Sequence, residues 1–224
     1  MTIHRPGLPG DLPPAGELWA RWALVAVLEA TTEAEGRGVH RTGHWIDGGG
    51  LHLDDCGCTW WCLAPMGEGR YVLYGEDESS DVKWHEPAVD MLAGGPDWLP
   101  YETLRELGRG WELGCVYWFE DGAWARAPYP EGVEDDGLDC GISRFVVRRE
   151  LLGLLDGVGQ DCTCDPGPEP AHTAAGLLEA AERRRLAPEV LESFAAGCTC
   201  GERDLSAMRR ALDLAGLAGQ GQPA

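Results

Sequence analysis

Residues 115–129 read CVYWFEDGAWARAPY. Two aromatic, strand-like runs meet at Asp121-Gly122, the residue pair favoured where a two-residue turn needs positive φ at both central positions. The stretch predicts a β-hairpin. Upstream, the same kind of reading yields more short strands: HWID (44–47), LHLDD (51–55), TWWCLAP (59–65) and RYVLYGED (70–77). The last two flank MGEG, a glycine-containing hairpin turn. DWLPYETLRELGRG (97–110) predicts a short helix with Pro100 at its first turn and Gly108 at its end. ISRFVVRRELLGLLD (142–156) reads as a strand running into a helix.

Around this strand-rich centre the pattern is helical. Leu18, Trp22, Val25 and Leu28 recur at three-to-four spacing, so residues 17–35 predict a helix that GRG (36–38) ends. Further helices are expected at about 171–185, 188–196 and 203–215. All ten Trp and all five Tyr lie between Trp19 and Tyr129, and Phe194 is the one aromatic residue after Glu150. This shift divides the chain. We expect a flexible leader at 1–16, an aromatic-rich α+β domain at 17–157, a helical segment at 158–218 and a flexible tail at 219–224. The fold class is α+β: a mostly antiparallel sheet of hairpins, an N-terminal helix and a C-terminal helical appendage.

The 224 residues carry a net charge of −20. Residues 1–150 hold 27 acidic and 12 basic side chains. Such a surface repels nucleic acid and anionic membranes, both of which need Lys and Arg to neutralise phosphate. It favours a basic protein partner through electrostatic steering, or it simply keeps the protein soluble. The acidic loops GEDESSD (75–81) and EGVEDDGLD (131–139) lack the EF-hand arrangement of ligands about a fixed Gly, so they read as solvated loops. Glu76, Asp77, Glu78, Asp81, Glu134, Asp135 and Asp136 are the candidate partner-binding residues. The start of the chain has Pro and Gly where a secretory signal has an apolar run, and LWARWALVAVL (18–28) is too short to span a bilayer. With nine cysteines, an odd number, the expected home is a reducing cytoplasm.

Cys-Thr-Cys occurs twice, at Cys162–Cys164 and Cys198–Cys200, each between two expected helices. This looks like a degenerate duplication of a helical hairpin. Three readings stand side by side, one of them a redox or disulfide role for these cysteines. Four thiolates from Cys162, Cys164, Cys198 and Cys200 suit a tetrahedral zinc ion. Alternatively Thr163 and Thr199 cap the following helices, and the cysteines serve as small apolar residues. In LHLDDCGCTWWC (51–62), alternation puts His52, Asp54 and Cys56 opposite Leu51 and Leu53. A thiol nucleophile there needs a base and an orienting group, and His40, His44, His52 and His85 stand in no recognisable signature. Trp60, Trp61, Trp84, Trp98, Trp111, Trp118 and Trp124 suit either a stacking groove for sugar or peptide, or a core with cross-strand pairs. No P-loop, dinucleotide fingerprint, nucleophile elbow or zinc-protease motif is present.

GLHLDDCGCTWW, RYVLYGEDESSD, DMLAGGPDWLP and the 115–139 stretch together resemble uncharacterised actinobacterial proteins over about residues 45–140, which implies no activity. GGPDWLPYETLREL (94–107) resembles SUKH-type immunity proteins, acidic α+β domains that neutralise toxins. The resemblance implies an immunity- or inhibitor-like protein-binding module, and whether the chain is an enzyme stays open. A zinc-stabilised structural or regulatory protein and a thiol-dependent enzyme using the His52–Cys62 region are the alternatives.

Overall fold

The computed structural model describes residues 2–160, 173–196 and 203–219, and every structural statement below concerns these residues. The fold is α+β. Six strands form an antiparallel sheet in sequence order: β1 (Gly43–Asp47), β2 (Gly50–Asp54), β3 (Thr59–Pro65), β4 (Tyr71–Asp77), β5 (Cys115–Glu120) and β6 (Ala123–Arg126). Asp121 and Gly122 join β5 to β6 with φ of 51° and 83°, the double positive φ that the sequence demands. The β3–β4 turn closes through the Met66 amide on the Arg70 carbonyl, 2.9 Å. No helix among the described residues is long and apolar enough to cross a membrane.

The chain forms two compact units. One takes residues 1–18 and 52–147, the other 19–51 and 148–224. In the first, β3 to β5 are buried on both faces. Cys62, Ala64, Val72, Val116 and Trp118 pack with Leu99, Leu104 and Leu113, and Leu104 comes from α3 (Tyr101–Arg109). The alternate positions Trp61, Leu63, Leu73 and Tyr117 are fully buried as well. Here α4 (Asp139–Val146) packs on β3. Residues 142–146, expected to be a strand, are helical because Ile142, Phe145 and Val146 recur at the spacing that buries one helix face. The expected flexible leader is instead packed. Ile3 and Leu12 are buried. The Gly7 carbonyl accepts the Tyr117 hydroxyl at 2.8 Å, and the Trp124 indole donates to the Pro13 carbonyl at 2.7 Å.

The second unit is built on α1 (Ala15–Leu28), in which Trp22 to Val27 are wholly buried. A helix that is apolar on every side needs neighbours all round. The same unit holds α5 (Arg148–Gln160), α6 (Ala174–Glu182), α7 (Pro188–Ala196) and α8 (Leu205–Ala215). The Trp19 indole donates to the Ala215 carbonyl at 2.9 Å, and Arg21 pairs with Glu182 at 2.9 Å. The compact units therefore do not follow the aromatic boundary near residue 157: the tryptophan-bearing α1 goes with the C-terminal helices. The helix expected over 17–35 is two, α1 and a short α2 (Thr32–Glu35) that the Thr31 side chain caps.

Candidate protein-docking face

β4 ends in the first acidic loop, and the fold absorbs part of that acidity. The Asp77 carboxylate is buried, bonded by the Thr59 hydroxyl and by the Ser79 amide at 2.9 Å. Burial works to raise its pKa, but the Ser79 and Thr59 hydrogen bonds outweigh it and hold the group below its ordinary value. Glu76 pairs with Lys83, the one lysine of the chain.

The second loop behaves the same way. Asp136 is 1% exposed. It accepts the Tyr117 hydroxyl at 2.6 Å, the Tyr129 hydroxyl at 3.1 Å and the Gly7 amide at 2.9 Å. Burial, then the Asp136 charge, pushes the Tyr117 hydroxyl far above its usual range, so Tyr117 is a permanent donor. Asp135 accepts the Gly137 amide at 2.7 Å and lies 3.6 Å from Arg5.

Asp81 joins the two loops. Its amide donates to the Asp135 carbonyl at 2.9 Å. Its carboxylate accepts the amides of Glu134 and Asp135 at 3.3 and 3.2 Å. Segments more than fifty residues apart thus form one face, with Glu78, Asp81 and Glu134 exposed on it. Of the seven acidic residues singled out in the sequence, Asp77 and Asp136 are internal, and Glu76 and Asp135 are tied to neighbouring groups.

The same stretch carries two exposed tryptophans. Trp84 closes a short 3-10 turn that begins after Asp81, and its amide bonds the Asp81 carbonyl at 3.2 Å. Trp84 is 62% exposed and Trp111 58%. Their rings stack with centroids 5.1 Å apart and planes 21° apart. Trp111 sits just past α3. The Trp111 amide bonds the Gly108 carbonyl and the Glu112 amide bonds the Leu107 carbonyl, the paired bonds of a Schellman ending. That ending needs a left-handed residue, usually Gly, yet Trp111 fills it with φ of 62°. An open groove of about 620 Å³ adjoins the pair, lined by Lys83, His85, Glu86, Pro87 and Ala88 besides the two indoles. Seven tryptophans are candidates for a stacking groove on the sequence. Trp61, Trp118 and Trp124 are core, Trp60 and Trp98 pack against it, and only Trp84 and Trp111 stand out from the surface.

The cysteine-rich turn after β2 places Leu51 and Leu53 inside, and His52 and Asp54 half-buried, as alternation requires. Cys56 and Cys58 are exposed, whereas Cys62 is buried in the sheet. The Glu78 charge, followed by burial, pushes the Cys58 thiol up, which is opposite to what a thiolate nucleophile needs. No group of three or more His, Cys, Asp or Glu side chains among the described residues is arranged to hold a metal ion. Cys162, Cys164, Cys198 and Cys200 lie outside the described residues.

No protein-family model, curated protein or solved structure matches this chain.

Proposed function

We propose that this chain is an acidic protein-binding module that docks a basic partner protein in the cytoplasm, in the manner of an immunity or inhibitor protein. The observation that carries the reading is the joining of two acidic loops into one face through Asp81. Charge supports it: the first unit holds 22 acidic side chains against 7 basic ones. A one-signed surface of this kind raises the rate of encounter with an oppositely charged partner and suppresses wrong ones. The odd number of cysteines, nine, supports a reducing compartment.

The test is affinity capture of the tagged chain from its own cell at low and high salt. One basic protein should be recovered stoichiometrically at low salt and released as salt rises. A Glu78→Lys, Glu134→Lys double variant, changed at two exposed positions, should fold normally and lose that protein. Failure to recover any stoichiometric partner would overturn the reading, as would retention by the double variant.

A further inference from the structure

We propose that Trp84 and Trp111 form a platform for a guanidinium group, on which an arginine side chain of the basic partner stacks. The proposal rests on the docking reading above and names the chemistry at its centre.

Three observations lead there. First, the fold holds these indoles outward. The left-handed position that ends α3 suits glycine, and Gly110 stands one residue before it, yet a tryptophan occupies the strained site. The strain aims a large apolar side chain into solvent, where burial returns nothing to stability. Second, the near-parallel stack closes the space between the rings, so the pair offers a broad outer face and no slot. A flat group fits a face of that kind. Third, the setting selects a cation. Lys83 Nζ lies 5.3 Å from the Trp84 ring centroid, so this ring already takes a cation from its own chain. Lys83 is itself paired with Glu76. Glu86 lines the groove, and Glu112 follows Trp111 directly.

A guanidinium meets all three conditions. It is planar, stacks on indole, sheds water more readily than an ammonium and keeps edge N–H groups for carboxylates such as Glu86 or Glu112. A second copy of this chain is the wrong occupant, because two chains of net charge −20 repel.

The experiment is a titration of the ¹⁵N-labelled full chain, following indole N–H resonances. The ligands are a capped Gly-Arg-Gly peptide, its lysine counterpart and its citrulline counterpart, a neutral near-isostere. Trp84→Phe and Trp111→Gly assign the two signals, and glycine at 111 suits the backbone there. The arginine peptide should shift both signals and bind about threefold or more tighter than the lysine peptide. The citrulline peptide should shift neither, and Trp111→Gly should abolish the response. No response to arginine, or an equal response to citrulline, overturns the proposal. So does a response of these two signals to a neutral sugar such as glucose with none to arginine.

The two readings fail separately. If Glu78→Lys with Glu134→Lys releases the partner but arginine leaves the indoles unmoved, the platform falls and the docking face stands. If arginine shifts the indoles but Trp111→Gly leaves partner affinity unchanged, the platform is not part of the interface and the proposal falls. If no stoichiometric partner is recovered, the docking reading falls whatever the peptides do.

Discussion

A single carboxylate can set the chemistry of a neighbouring thiol, and Glu78 does this to Cys58. Cys58 is open to solvent, but the Glu78 charge opposes its ionisation. Alkylation requires the thiolate, so exposure alone does not make this cysteine reactive. Glu78→Gln should speed iodoacetamide labelling of Cys58 at pH 8 severalfold, read by peptide mass mapping, while buried Cys62 and Cys115 stay slow in both proteins. An unchanged rate at Cys58 would remove the electrostatic account. At this scale the sequence is legible in part. Alternation in LHLDD correctly puts Leu51 and Leu53 inside. It says nothing of Glu78 beside Cys58, because that pairing arises from β3 and β4 closing as a hairpin, with the Glu78 amide bonded to the Cys58 carbonyl at 3.0 Å. The exposed tryptophans are equally hidden. Composition favours burying any indole, and only the backbone ending of α3 shows that Trp111 is turned outward.

Strand β4 shows how one small residue sets the geometry of an element. Gly75 lies opposite Trp61 on β3 and Cys115 on β5. A Cβ built there would lie 2.1 Å from the Trp60 carbonyl oxygen and 2.9 Å from Trp61 Cε3. The Trp61 ring therefore covers the space that a side chain at residue 75 would use, while its N–H reaches the Cys140 carbonyl on α4 at 2.8 Å. Gly75→Ala must push backbone apart in the centre of the sheet and should cost about 2–3 kcal/mol, measured as a lower urea midpoint. A neutral result would mean that the strands separate freely. The strands are legible in the sequence because their turns carry strong chemistry, as at Asp121-Gly122. Residues 142–146 are not, because β-branched residues prefer strands locally, whereas the burial of Ile142, Phe145 and Val146 on one side decides for a helix.

Across the whole molecule, aromatic content misled about partition while charge and fold class were legible. Aromatic residues report how much apolar surface a segment must cover, and α1 covers its own among helices drawn from the far end of the chain. Asp204 illustrates how residues distant in sequence are coupled within that helical unit. It caps α8 through the Ala207 amide at 3.0 Å and accepts the Thr32 amide of α2 at 2.9 Å. Hydrogen bonds from the Thr32 hydroxyl, the Ala207 amide and the Thr32 amide pull its pKa down to about 2. A carboxyl depressed in the folded state stabilises fully above its unfolded value, near 3.8, and loses that contribution as pH falls through about 2. Asp204→Asn keeps an acceptor without the charge. Its stability deficit relative to the parent, from urea unfolding, should be constant above about pH 5 and shrink steadily between pH 4 and 2. A deficit independent of pH would assign the whole effect to geometry. The join between the acidic loops has a different kind of consequence. Asp81 grips the backbone amides of Glu134 and Asp135 and makes no use of their side chains. Position 134 can therefore change its chemistry while the scaffold beneath it stays closed, so the charge of this face can be altered one residue at a time.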